Sequence, residues 1–189
     1  MKTEFEVRIL DISFETMIQK LKAIDAKQKD VFYQKRYTYD FMPPRKGQWV
    51  RLRSNGQKTT LAVKEVKTQS INGTKELEII VSDFEDTNLI LEKLGYKSQC
   101  FQENFRITFT FEDVEVALDK WPMIPPYMEI EGKSEEDIYK FLNILEIDIK
   151  DVTAMDVNTL YREKYGIDLN AIPLLKFTKE EKEFVEQFK

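Results

Sequence analysis

Charged residues recur at every second position in separate short stretches of this chain: Glu4, Glu6 and Arg8; Arg51 and Arg53; Glu76 and Glu78; Glu129 and Glu131. Single basic residues, Lys64 and Arg106, stand between them. Successive side chains on a β-strand point to opposite faces, so the members of each group share one face. The opposite faces carry Phe5, Val7, Leu52, Leu77, Ile79, Met128 and Ile130, which need burial, and the chain supplies amphipathic helices to bury them. With helices over the apolar faces, the charged faces turn inward and line the lumen of a closed or nearly closed barrel. Such a lumen is costly to desolvate unless its charges satisfy one another, water or a ligand. A metal triphosphate suits it: carboxylates take a hard cation such as Mg²⁺ or Mn²⁺, while Arg and Lys take phosphate oxygens, Arg often through two parallel hydrogen bonds. A single alternating pair is ordinarily just the solvated face of an antiparallel strand. Several pairs made of Glu and Arg, rather than a mixture of Thr, Ser, Gln and Lys, favour the lumen.

Composition narrows the chemistry further. The 189 residues contain no histidine, which removes Ser-His-Asp triads, histidine bases and His-rich zinc sites. Any reaction must run on carboxylates, Lys, Arg, Tyr or a metal ion. The one cysteine, Cys100, cannot form an intramolecular disulfide, and no thiolate metal pattern is present, so a reducing cytosol is expected. A net charge of -5 argues against broad binding to nucleic acid or anionic membranes. No apolar run approaches membrane-spanning length and the chain opens on Lys2-Thr3-Glu4, so a cytoplasmic protein is expected. Length and composition fit one domain over residues 1–189, with barrel and helices in 1–166 and a helical extension in 167–189.

The elements that must position these charges follow from periodicity. Strands are predicted over 3–10, 31–41, 49–54, 58–67, 74–82, 100–112, 114–120 and 126–132, with Asn55-Gly56 and Asn72-Gly73 as turn signals. A helix capped by Ser13 carries Phe14, Met17, Ile18, Leu21 and Ile24 on one stripe. Ser82 with Glu85 forms a capping box for a second helix that Gly95 ends. Two or three C-terminal helices are expected, near 134–146, 156–165 and 178–188, capped in part by Ser134 and Thr178. The two halves look alike: Glu4-Phe5-Glu6 leads through a helix to Arg36-Tyr37-Thr38-Tyr39, and Glu76-Leu77-Glu78 through another to Arg106-Ile107-Thr108-Phe109. A duplicated β-α-β unit predicts a roughly two-fold site with an acidic and a basic strand from each half.

These residues also carry a family resemblance. Glu4-Phe5-Glu6-Val7-Arg8 resembles the ExExK signature that opens CYTH, or triphosphate tunnel, proteins, and Trp49-Val50-Arg51-Leu52-Arg53 resembles their RxR strand. Gln34 to Asp40, Lys64, Glu76 and Glu78, Arg106, Asp119 and Glu129-Ile130-Glu131 follow in family order, so the resemblance spans about residues 2–165. It implies an α+β fold, an eight-stranded antiparallel barrel with a charged lumen and helices outside. It further implies that Arg8, Arg51, Arg53, Lys64 and Arg106 bind a triphosphate, and that Glu4, Glu6, Glu129 and Glu131 bind Mg²⁺ or Mn²⁺, with Asp119, Glu76 and Glu78 as supporting acids. Lys64 is the lysine nominated for proton transfer, although a simple phosphate contact is the blander role.

Family members include class IV adenylyl cyclases, thiamine triphosphatases and tripolyphosphatases. The expected substrates are therefore tripolyphosphate, ATP or thiamine triphosphate, with hydrolysis favoured, cyclisation of ATP the alternative enzyme reading, and a non-catalytic polyphosphate or nucleotide binder the reading from another class. Arg8 departs from the signature lysine; a guanidinium binds phosphate but cannot act as a base at neutral pH. Arg36 stands where many members carry Asp, leaving it either inside the tunnel or outside. The segment from 168 onward reads as a cover for a tunnel end or a surface for a second subunit, so a homodimer stays open.

Overall fold

The computed structural model describes residues 1–189. In the first half, strand β1 (Lys2–Ile9), helix α1 (Phe14–Ala23) and strands β2 (Lys27–Asp40), β3 (Gln48–Ser54) and β4 (Thr59–Val66) follow one another. In the second, β5 (Thr74–Val81), α2 (Phe84–Lys93), β6 (Ser98–Phe111), β7 (Val114–Lys120) and β8 (Tyr127–Gly132) repeat that order. Then come α3 (Glu135–Ile144), α4 (Val157–Tyr165), a short strand β9 (Leu174–Leu175) and α5 (Lys179–Glu186). No helix is long and apolar enough to cross a membrane.

Strands pair in the ring order β2-β3-β4-β5-β1-β8-β7-β6, and β6 returns to β2, closing an eight-stranded antiparallel barrel. The short β9 adds in parallel to β6. Closure removes the open edges that would otherwise invite aggregation. Exchanging β1 with β5, β2 with β6, β3 with β7 and β4 with β8 leaves this ring order unchanged. The duplicated unit expected from the sequence is therefore visible in topology, as β-α-β-β-β in each half rather than β-α-β.

Apolar faces point outward beneath helices. Phe14, Met17 and Leu21 of α1, Ile138, Phe141 and Leu142 of α3, and Val185 of α5 pack with Val7, Phe105, Ile107, Val116, Leu118, Met128 and Ile130. Phe84 and Leu91 of α2 cover Tyr39, Val50 and Leu52. A third cluster joins Leu160 and Tyr161 of α4 and Leu169 to Trp121, Ile124 and Tyr127. This burial is what aims the alternating charged positions into the lumen.

Two local expectations need correction. The cap of α2 is Asp83, whose carboxylate accepts from the Asp86 amide at 2.8 Å; Ser82 lies one residue too early, and Glu85 turns instead to Lys35 at 2.8 Å. Leu77 and Ile79, expected to be buried, are 54% and 56% exposed, because no helix lies over the outer face of β5. Beyond 168, the stretch read as a tunnel cover or a subunit surface, Leu169 and Asn170 border the lumen, and Phe184 and Phe188 pack on Phe14 with ring centroids 5.9 and 5.1 Å apart.

Candidate functional site

The lumen encloses about 990 Å³, lined by Glu4, Glu6, Arg8, Arg36, Arg51, Arg53, Lys64, Glu76, Glu78, Arg106, Glu129 and Glu131 among others. Asp119, fully buried, stands beneath Arg106. Every charged position singled out in the sequence therefore converges on one cavity or its immediate support. Register explains the convergence: Glu6 lies opposite Glu131 and Arg8 opposite Glu129, Lys64 opposite Glu76, Arg53 opposite Arg36, and Arg106 opposite Asp119.

Charge is segregated around the ring. The contiguous strands β6, β2, β3 and β4 present Arg106, Arg36, Arg51 with Arg53, and Lys64, whereas β5, β1, β8 and β7 present Glu76 with Glu78, Glu4 with Glu6, Glu129 with Glu131, and Asp119. Arg8 is the one buried basic side chain within the acidic wall, with the exposed Lys2 at its rim 3.9 Å from Glu131. The expectation of one acidic and one basic strand from each half holds for β1 with β2 and for β5 with β6, but β3 and β4 against β7 and β8 break the two-fold in charge. The second half contributes three acidic strands and one basic one, because the register positions of Arg53 and Asp119 correspond while their side chains do not.

Ion pairs tie the walls together where they meet. Arg51 donates to Glu76 at 2.8 Å and to Glu78 at 3.0 Å, and Arg53 to Glu78 at 3.1 Å. Lys64 Nζ donates to Glu4 at 2.8 Å and lies 3.8 Å from Glu76. Arg106 grips Asp119 with Nε at 2.9 Å and Nη2 at 2.5 Å, and reaches Glu129 at 3.0 Å. Burial opposes the Arg106 charge, but Asp119 and Glu129 outweigh it and hold the guanidinium well above its usual range. Arg8 donates to Glu129 at 2.7 Å, to Glu6 at 3.2 Å and to the Met155 carbonyl at 2.7 Å. Those carboxylates outweigh its burial too and raise it. Arg8 can therefore meet a phosphate only by giving up a carboxylate partner.

Each wall also repels itself. Burial, then repulsion from Glu129, Glu4 and Glu6, pushes the Glu131 carboxyl up to about 7. Burial and a hydrogen bond with Glu76, against the pull of Lys64, push Glu4 up to about 7. By contrast Glu129, although buried, is drawn far below the carboxylate range by Arg106 and Arg8. On the other side, the neighbouring charge of Arg51 together with burial lowers Arg53 to about 10.

Arg36, left open by the sequence, is inside the tunnel and 7% exposed. It has no carboxylate partner. Nη2 donates to the amide oxygens of Gln34, at 3.1 Å, and Asn104, the guanidinium lies 4.4 Å over the Trp121 ring, and Nε is buried without a partner. Burial, then the like charges of Arg51, Arg53 and Arg106, pushes it well below the arginine range. A buried cation surrounded by cations is poorly compensated unless an anion joins it. Its strand parity with Gln34 and Thr38 was the signal available in the sequence, but only the register of β2 with β3 sets it opposite Arg53. Trp121 and Tyr127 also line the cavity.

No three carboxylates stand close enough to form a ready-made metal cluster, since the acids are engaged by Arg8, Lys64 and Arg106. The donor chemistry nevertheless fits a hard divalent cation. Glu4, Glu6, Glu129 and Glu131 are oxygen donors on adjacent paired strands, and their mutual repulsion is the kind a cation relieves.

The model of the CYTH domain matches residues 2–163. No curated protein matches the chain. Among solved structures, the PH1012 protein of Pyrococcus horikoshii OT3 is 21% identical, with 81% of this chain and 96% of that one covered at a TM-score of 0.72. A candidate adenylate cyclase from Vibrio parahaemolyticus is 13% identical, covering 88% of this chain and 99% of that one at 0.68. The Hippeastrum protein HpAC1, a candidate adenylyl cyclase described as having a dominant triphosphatase activity, is 14% identical, covering 88% and 96% at 0.58. At such identities the solved structures speak for the fold alone; the match over residues 2–163, with the closed barrel and its charged lumen, makes this chain a member of the CYTH domain family.

Proposed function

We propose that the protein is a metal-dependent hydrolase of a triphosphate held in the barrel lumen. The observation that carries this reading is the division of one cavity into a basic wall and an acidic wall, since a metal triphosphate is a ligand with an anionic and a cationic part. The basic wall, Arg36, Arg51, Arg53 and Arg106, faces the phosphate oxygens; Arg51 and Arg53 are held in place by Glu76 and Glu78, and Arg106 by Asp119. Glu4, Glu6, Glu129 and Glu131 would hold Mg²⁺ or Mn²⁺. Bound there, the ion neutralises phosphate charge and favours deprotonation of the nucleophile.

In hydrolysis, water adds to the terminal phosphorus while the bond to the bridging oxygen breaks, leaving orthophosphate and the shortened phosphate chain. The basic side chains stabilise the negative charge that builds on the departing oxygen. Lys64 Nζ, 2.8 Å from Glu4 and so at the seam between the walls, is the group placed to give that oxygen a proton.

The test is turnover of tripolyphosphate, ATP and thiamine triphosphate by purified protein with Mg²⁺ or Mn²⁺, scoring phosphate and cyclic AMP. Phosphate release that disappears on chelation is the expected result. Cyclic AMP from ATP would replace hydrolysis by cyclisation, and tight binding with neither product would replace catalysis by sensing.

A further inference from the structure

The loop 121–126 between β7 and β8 is gripped from outside the barrel by the C-terminal segment. Lys120, 7% exposed, donates from Nζ to the carbonyls of Trp121 and Ile124, each at 2.7 Å, and to Glu181 Oε1 at 2.8 Å. The same Glu181 oxygen accepts from the Met123 amide at 2.8 Å, and Met123 is in the left-handed region with φ 68°. Glu181 is itself held: its second oxygen accepts from the Thr178 amide at 3.0 Å, and its own amide donates to the Thr178 hydroxyl at 3.2 Å, completing a capping box. Behind it, Val185 is fully buried, and Phe184 and Phe188 pack on Phe14.

From α4, the Tyr161 hydroxyl donates to the Pro122 carbonyl at 2.6 Å. Trp121, the first residue of the loop, faces the cavity with the Arg36 guanidinium over its ring. Arg36 depends on that platform more than its neighbours depend on theirs, because they have carboxylates and it has only two amide oxygens and a ring. A cation–π contact is strongest in a desolvated place such as this.

We propose that Glu181 is a positioning residue: acting through Lys120 and the 121–126 loop, it holds Trp121 as the seat of Arg36, so that the C-terminal helix sets the affinity of the tunnel for a polyanion. The inference rests on the reading of the tunnel as a polyphosphate site. It adds to that reading a determinant beyond residue 163, where the family match ends.

The experiment is calorimetric titration of full-length protein with tripolyphosphate for wild type, Glu181→Gln, Arg36→Met and the double variant. Glutamine keeps an oxygen for the Met123 amide and Lys120, and loses both the charge that Lys120 faces and the second oxygen that accepts from the Thr178 amide. Glu181→Gln is expected to weaken binding about tenfold, or 1.4 kcal/mol, in the wild-type background and less than about twofold once Arg36 is gone, since coupled residues do not add. Equal losses in both backgrounds, or no loss in either, would overturn the proposal. In a Trp49→Phe parent, Trp121 is the remaining indole of the two in the chain, and its ligand-free emission should shift on Glu181→Gln. A parent that binds no tripolyphosphate would overturn the functional reading, and an unshifted Trp121 emission would then overturn the coupling by itself.

Discussion

The β3–β4 hairpin and the β7–β8 hairpin take equivalent places in a ring whose order is unchanged when the halves are exchanged, yet they line the lumen with opposite charge. The first presents Arg51, Arg53 and Lys64; the second presents Asp119, Glu129 and Glu131. Their neighbours make the contrast sharper. Arg53 lies opposite Arg36, while Asp119 lies opposite the equivalent Arg106 and forms a two-point ion pair with it. Backbone topology thus fixes where inward positions fall and is silent about their sign. One hairpin became an anion wall and the other a cation wall on the same scaffold, which is how a two-fold fold makes a one-directional site. Function on this fold is a property of side chains at register positions.

The largest effect is expected on the basic hairpin. Replacing Arg51 and Arg53 together by Ala removes two charge-assisted contacts worth about 1.5–3 kcal/mol each, so tripolyphosphate affinity measured by calorimetry should fall by at least about 100-fold. Loss under tenfold would mean that the phosphate does not lie along β3.

Arg36→Met separates binding from stability. It should weaken tripolyphosphate binding about tenfold, the worth of one charge-assisted contact. It should also raise the ligand-free melting temperature by about 2–4 °C, because a buried cation without a carboxylate partner is removed. A lower melting temperature would show that the Gln34, Asn104 and Trp121 seat more than compensates the charge.

The acidic wall predicts a pH signature. Glu131 and Glu4 sit at about 7, above their ordinary value of 4.5. The folded state therefore holds more protons than the unfolded one between those values, and their contribution to stability falls as pH rises through that window. Chelated protein should melt lower at pH 8 than at pH 5.5, and Mg²⁺ should raise the melting temperature more at pH 8 than at pH 5.5. Equal Mg²⁺ effects at both pH values would contradict a cation site between these carboxylates.

The smallest effect is expected outside the barrel. The outer faces of β1 and β8 lie under α3, whereas β5 has no such cover. Leu77→Thr should change stability by no more than about 0.5 kcal/mol, against about 2–5 kcal/mol for Ile138→Ala on the buried face of α3. A denaturant melt of each compares them directly.

Much of this was legible in the sequence because alternation is a strong signal: Glu4, Glu6, Glu129 and Glu131 share strand faces opposite Val7, Met128 and Ile130, and the concentration of Glu and Arg on such faces favoured a lumen over solvated faces. The strand and helix order followed from the same periodicity. What stayed hidden depended on register and on distant packing. Arg36 shares its parity with Gln34 and Thr38, and only the pairing of β2 with both β3 and β6 places it among Arg51, Arg53 and Arg106. The bare face of β5 was hidden because Leu77 and Ile79 alternate as core residues do, and nothing local reveals that no helix follows β4 to cover them. The grip of Glu181 on Lys120 joins residues 61 apart in sequence, so no local pattern could show it.

The most direct test of the two-wall account is tripolyphosphate titration of wild type, Arg53→Ala and Glu131→Gln, each with chelator and with Mg²⁺. The account predicts that Arg53→Ala weakens binding in both conditions, while Glu131→Gln leaves chelated binding equal to wild type or tighter and loses the increment due to Mg²⁺. A Glu131→Gln variant that keeps the full Mg²⁺ increment, or an Arg53→Ala variant that binds as wild type, would contradict it.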